Sequence, residues 1–131
     1  MRIEPCDFDD LPAELVRQAR KEGADLDQSL VSPWTIFRAT WGLETVGFVG
    51  VLCRSPSVVT IRGWWVRPNF RDQGIGTALL ETATTYALDI GVSKIELRTA
   101  KDRIAHRLGF QWTGYERKGG KRERHFVRHS V

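Results

Sequence analysis

Cysteine, histidine and long apolar runs are scarce in this chain of 131 residues, and each scarcity excludes something. The two cysteines, Cys6 and Cys53, make neither a Cys-x-x-Cys pair nor a disulfide framework, so idle or buried thiols are expected. The three histidines supply no metal site: His125 and His129 would share a strand face roughly 13 Å apart at ~3.3 Å per residue, too far to chelate one ion. No apolar stretch approaches the ~20 residues that span a bilayer, so no membrane association is expected. The sequence opens with Arg2, Glu4 and Asp7 rather than a signal peptide, which leads to the expectation of a soluble, cytoplasmic protein. Internal repeats, linkers and low-complexity tracts are also missing, and one domain over residues 1–131 is expected.

What is present is unevenly charged. Residues 1–100 carry 11 Lys/Arg against 13 Asp/Glu, while residues 101–131 carry 9 against 3, so the net +4 resides in the C-terminal quarter. Such a patch suits a polyanionic ligand, an acidic substrate or nucleic acid, and equally a solvated face. Five tryptophans add to the nucleic-acid reading, since aromatic rings among basic residues bind single strands. Trp34, Trp41, Trp64 and Trp65 fall on expected strands, however, where burial is the ordinary explanation, and only Trp112 adjoins the basic segment.

Period and punctuation predict the elements. Met1–Cys6 alternates as a short strand; Asp9-Asp10-Leu11-Pro12 reads as a helix start with an acidic cap and proline in the first turn, Leu11, Leu15, Val16 and Ala19 lying on one face and Gly23 as the stop. Residues 24–33 are polar and aperiodic, with room for a helical turn around Leu26–Leu30. Trp34–Trp41 and Thr45–Cys53 read as an antiparallel hairpin, and Gly47 and Gly50 imply a close neighbour to the second strand. A turn at Arg54–Ser57 leads into a central strand, Val58–Arg67. There Val59 and Ile61 share one parity but Trp64 and Val66 the other, which a β-bulge at Gly63 would reconcile. A helix over Ile75–Ile90, with Ile75, Leu79, Ala83, Ala87 and Ile90 on one stripe and Gly91 as cap, precedes a buried strand at Ser93–Thr99. That order predicts a right-handed crossover between parallel neighbours. A short helix at Asp102–Leu108 and a hairpin turning at Gly119-Gly120 complete the chain.

The richest stretch joins that central strand to its helix. Two glycines, Gly74 and Gly76, stand at the helix start, where unpaired N–H groups and the positive end of the helix dipole favour an anion such as phosphate. A dinucleotide fingerprint needs a further glycine where Leu79 stands, and a Walker loop needs Gly-Lys-Ser/Thr where Gly76-Thr77-Ala78 stands. What remains, Val66-x-Pro68-x-x-Arg71-x-x-Gly74-x-Gly76-x-x-Leu79-Leu80, resembles the acyl-CoA-binding signature of GNAT-type N-acetyltransferases.

The resemblance implies an α/β (α+β) fold: a mixed central sheet of about six to seven strands, helices on both faces and splayed central parallel strands. It implies acetyl-CoA as cosubstrate, held by Trp65, Val66, Arg71, Asp72, Gln73, Gly74, Ile75, Gly76 and Thr77, with no metal. A backbone N–H of Trp65 or Val66 would bond the thioester carbonyl, residues 24–33 would border the acceptor cleft, and a primary amine would attack directly in a ternary complex. A second family motif, Asn-x-x-Ala-x-x-Leu-Tyr-Glu-Lys-x-Gly-Phe, is represented only by Arg107-Leu108-Gly109-Phe110, about one turn short. Ala105 stands where the family often places a thiolate-protonating tyrosine.

For the general base, Glu96 on the strand beside the central one is the candidate, or else a salt-bridge partner of Lys94 or Arg98. Tyr115 and His106 are candidates for the acid. The expected partner is a small-molecule or peptide amine, with the protein a monomer or homodimer. Two other readings stand beside the enzyme: a catalytically quiet acyl-CoA-binding or regulatory module, and a GNAT-fold protein that binds or modifies nucleic acid through its basic C-terminal hairpin.

Overall fold

Apolar residues that alternate along strands and recur every 3.6 residues along helices sort the chain into one sheet covered on both faces. A computed structural model describes residues 1–24, 34–99, 102–118 and 121–129, with side chains for all of these but 34, 102, 115–118 and 121–124. The strands are β1 (Arg2–Cys6), β2 (Trp34–Trp41), β3 (Glu44–Ser55), β4 (Val58–Val66), β5 (Lys94–Thr99), β6 (Gln111–Lys118) and β7 (Lys121–His129). The helices are α1 (Ala13–Lys21), α2 (Ile75–Asp89) and α3 (Asp102–Arg107). They build a seven-stranded mixed sheet in the order β1-β2-β3-β4-β5-β7-β6. The parallel pair is β4 and β5, linked by the α2 crossover; the other neighbours are antiparallel.

Each face has its own core. On one, Ile75, Leu79, Ala83 and Ala87 of α2 and Ala105 of α3 pack on Val59, Ile61, Val66, Ile95 and Leu97. On the other, Leu11, Leu15, Val16 and Ala19 bring α1 onto Ile36, Phe48 and Trp65. Leu79 is fully buried; truncating such a leucine to alanine typically costs about 2–5 kcal/mol, and here it would loosen the helix that carries the site.

Four expectations need correction. The acidic residues do not cap α1: Pro12 takes the N-cap position, and Asp9 and Asp10 belong to a preceding 3₁₀ turn, Phe8–Asp10. That turn is closed by Asp10 Oδ2 accepting from the Asp7 N–H at 2.9 Å, a local bond that competes with helix initiation. Ile90 is not on the buried stripe; α2 ends at Asp89, and Ile90, at the C-cap, is half exposed. Strand β3 runs on to Ser55, leaving a tighter turn than Arg54–Ser57 before β4. Trp41 is half exposed rather than buried, at the tip of the β2–β3 hairpin beside Phe70. The helical turn expected around Leu26–Leu30 and the Gly119-Gly120 turn lie outside the described residues.

Burial pushes the Cys6 thiol up to about 11, so it stays protonated near neutral pH, in keeping with an idle thiol.

Candidate active site

The site begins at the break in β4. Between its pairings with Arg62 and Trp65, β3 supplies one residue, Val49, where β4 supplies two, Gly63 and Trp64. Two residues opposing one is a β-bulge. Gly63 absorbs it at φ 69°, in the left-handed region that glycine enters without penalty. The bulge turns Trp64 and Val66 onto the α2 face with Val59 and Ile61, and sends Trp65 to the α1 face.

Beyond the bulge the two parallel strands part company. Pairing of β4 with β5 runs from Val58↔Lys94 to Ile61↔Leu97 and stops. From there β4 stays with β3 through Gly47↔Val66, while β5 continues along β7 to Thr99↔Arg124. A wedge opens between them. A Cβ at Gly47 would stand 2.9 Å from the Trp65 carbonyl oxygen, so that carbonyl faces β3, and Arg67 N–H likewise bonds Val46 O at 2.8 Å. Strand alternation turns the N–H and C=O of the residue between them, Val66, toward the wedge.

The wedge runs into the start of α2. Gly74 is the N-cap at φ 83°, and Asp72 is the described non-glycine residue with positive φ, at 62°. The first helical bond is Ala78 N–H to Gly74 O, so the amides before it have no partner within the helix. A Cβ at Gly74 would meet nothing within 4 Å: glycine is needed there for its φ, and the space beside it is open. The Trp64 indole N–H donates to Gly76 O at 2.8 Å, seating the first turn of α2 on the bulge.

Two arginines fasten this region to α1. Arg67 donates to Thr45 O and to Glu14, both at 2.8 Å. Arg71 Nε donates to Val66 O at 2.9 Å, its Nη2 to Glu22 Oε1 at 2.8 Å, and its guanidinium lies 5.7 Å from the Trp65 ring centre. The Arg71 hydrogen bond holds the Glu22 carboxyl below its usual range. The Trp65 indole N–H also draws on that charge, yet it makes no hydrogen bond of good geometry, so the two are electrostatic neighbours. Glu22 is thus an anion at neutral pH.

These parts enclose a cavity of about 820 Å³. Of the residues expected at a cofactor site, Trp65, Val66, Arg71, Asp72, Gly74, Gly76 and Thr77 line it. Ile75 sits beside them with its side chain in the core, and Gln73 is exposed on the loop. Five lining residues went unanticipated: Glu22, Trp64, Arg103, Ile104 and Arg107. Glu22 reaches Arg71 from 49 residues away, which no local pattern signals. The four-residue spacing of Arg103 and Arg107 was a readable sign that both share a helix face.

The acid–base candidates are not brought together there. Glu96 pairs with Lys94 at 3.3 Å and does not line the cavity. His106 is exposed on α3, edge-on to Phe126 at 5.5 Å. Tyr115 has its backbone in β6, opposite Arg124, while its side chain, like those of Arg117, Lys118, Lys121 and Arg122 of the basic hairpin, lies outside the described ones. Ala105, which the family resemblance sets at the tyrosine position, is fully buried. Among the described residues no cluster of His, Cys, Asp and Glu is arranged to hold a metal, and no helix is long and apolar enough to cross a membrane.

The same fold recurs in solved structures of low sequence identity. An aminoglycoside 6'-N-acetyltransferase from Enterococcus faecium superposes with a TM-score of 0.74 at 14% identity, covering 100% of this chain and 98% of that one. A spermidine N-acetyltransferase from Vibrio cholerae gives 0.75 at 11%, covering 99% and 95%. A GNAT family acetyltransferase from Elizabethkingia anophelis, with acetyl-CoA bound, gives 0.68 at 16%, covering 98% and 97%. Among proteins of curated function, none matches this chain in sequence. The family model for acetyltransferases of the GNAT type matches residues 4–110, most of the length, and the chain belongs to that family.

Proposed function

We propose that the protein is an acetyl-CoA-dependent N-acetyltransferase that acetylates a primary amine by direct attack in a ternary complex. The observation that carries this reading is the wedge between β4 and β5 ending at the start of α2, whose first amides have no partner within the helix and no side-chain cap. The fit to acetyl-CoA is chemical. A diphosphate matches N–H groups that have no partner within the helix, at a helix N-terminus beside open space at Gly74, and an extended amide-bearing arm matches the edge of β4 left unpaired by β5.

Acetyl-CoA supplies an acetyl group activated as a thioester, whose carbonyl carbon the amine attacks with release of the CoA thiol. The chain's part is to bind and orient. In this reading the amides of Gly74 to Thr77 take the diphosphate, the Val66 N–H faces the thioester arm, and Arg71 holds Val66 and Glu22 in register. Glu22, kept ionised by Arg71, is a poor base near neutral pH and a good neighbour for a cationic acceptor. Amine acceptors, named for the relatives above as aminoglycosides and spermidine, fit an anionic residue at this position. The protein would work as one domain, without a metal, in the cytoplasm.

One observation favours the second reading, a catalytically quiet acyl-CoA-binding module: the fully buried methyl of Ala105 stands where a phenolic acid would. Two measurements separate these. Thermal stabilisation by acetyl-CoA is expected under both, and its absence at millimolar ligand rejects both. Release of free thiol with a panel of polyamines, aminoglycosides and peptide N-termini is expected only of the enzyme.

A further inference from the structure

An arginine stands on each bank of the wedge at its narrow end. The last pairing of β4 with β5 is Ile61↔Leu97, so Arg62 and Arg98 are the next residues along the two strands. Ile61 and Leu97 point into the α2 core. Strand alternation therefore turns both arginines to the other face of the sheet, the one that carries Phe48 and Trp65 under α1. Neither arginine lines the cavity assigned to acetyl-CoA. They lie behind it, on the side from which a second substrate can approach a thioester held in the wedge.

The chemistry of this face is one-sided. Arg98 Nε donates to His125 Nε2 at 2.7 Å. An imidazole nitrogen that accepts carries no proton, so the ring proton sits on Nδ1 and the histidine offers a donor there. Thr60, two residues before Arg62 on the same face, is 2% exposed, and its hydroxyl has no hydrogen-bond partner. The carboxylate beside them is Glu96, opposite Thr60, and Lys94 on its own strand holds it at 3.3 Å. Two guanidinium groups, an imidazole N–H and a buried hydroxyl, set against one carboxylate that is already ion-paired, have the composition of an anion site.

We infer that Arg62 and Arg98 receive the carboxylate of the acceptor, so that the acetylated amine belongs to an amino acid rather than to a polyamine or an aminoglycoside. The inference rests on the acetyltransferase reading and names the class of acceptor. Arg62 and Trp65 stand opposite Gly50 and Phe48, two residues apart on β3, roughly 7 Å at ~3.3 Å per residue. Glu22 is the electrostatic neighbour of Trp65 and lines the cavity with it. A zwitterion lying along β4 thus meets guanidinium groups at its carboxylate end and a carboxylate at its amine end. A polycation in the same place would set one of its charges beside two guanidinium groups, and like charges repel.

The test is thiol release from acetyl-CoA with the common amino acids and, for each, its carboxamide, which keeps the amine and the side chain and removes the negative charge. For the best acceptor, kcat/KM of the wild type is expected to be at least about tenfold higher with the acid than with the carboxamide, the scale of a charge-assisted hydrogen bond. R62Q and R98Q should each bring the two to within about twofold, chiefly by raising KM for the acid, while their affinity for acetyl-CoA matches that of the wild type. R62K should keep part of the preference, since charge remains without the fork. A wild type that uses the carboxamide or a polyamine as well as the acid overturns the subsite and leaves the acetyltransferase standing. So does an equal loss with acid and carboxamide in R62Q or R98Q that still bind acetyl-CoA. Binding of acetyl-CoA with no thiol release on any amine overturns the acetyltransferase reading and this inference with it.

Discussion

Arg71 reaches back five residues to cap the Val66 carbonyl at 2.9 Å and, from the same guanidinium, grips Glu22 at the end of α1 at 2.8 Å. One side chain therefore fixes the last residue of the bulged strand, the loop before α2 and the helix on the opposite face. Removing it should disturb ligand binding more than folding. In Arg71→Ala, the dissociation constant for acetyl-CoA is expected to rise by about tenfold or more, the scale of losing a charge-assisted hydrogen bond. Calorimetric titration checks this, and unchanged affinity would place the anion site elsewhere.

The bulge is a second point of leverage. Gly63 holds φ 69°, a conformation that costs a residue with a Cβ roughly 1–2 kcal/mol. Gly63→Ala is expected to lose about that much stability in denaturant unfolding and to lose thiol-releasing activity as well, because relief of the bulge realigns Val66. Full activity in a destabilised variant would separate the wedge from the chemistry.

Two glycines beside the site should respond in opposite ways. A Cβ at Gly47 would press to 2.9 Å from the Trp65 carbonyl oxygen, whereas one at Gly76 would make ordinary contacts at 3.7 Å with Trp64 and Val66. Gly47→Ala is expected to cost about 1–3 kcal/mol by overpacking against backbone. Gly76→Ala should leave stability unchanged or raise it by up to ~1 kcal/mol, since alanine is the better helix former. Parallel melting curves decide the pair.

Acid should loosen α1. Arg67 holds the Glu14 carboxyl, and Arg71 the Glu22 carboxyl, below the reference value of 4.5. On acidification the unfolded chain takes up these protons first, so the pairs give their full stabilisation above 4.5 and lose it as pH falls through the lower folded values. The melting temperature should fall as pH drops below 4.5, and Glu22→Gln should flatten that fall. An identical pH profile in the variant would remove Glu22 from the account.

Much of this was legible in the chain itself. The shift of apolar parity between Ile61 and Trp64 announced the bulge, because a strand can bury two parities on one face only by adding a residue. Gly47 announced a close approach, and Arg71 to Gly76 the turn into α2. Glu22 was hidden because its role depends on α1 docking beside the loop, a contact between distant segments. Trp41 misled because an aromatic residue at a hairpin tip has strand propensity and no core to enter. Ile90 misled because the helical period carried on past the end of the helix.

The central claim is that amides at the start of α2, with the Val66 edge of β4, hold the acyl-CoA. Backbone ¹H–¹⁵N shifts during titration with acetyl-CoA test it most directly. The largest changes are expected at Gly74, Gly76, Thr77 and Val66, with β1 unaffected. Saturation with the largest changes elsewhere, or no changes at millimolar ligand, would contradict it.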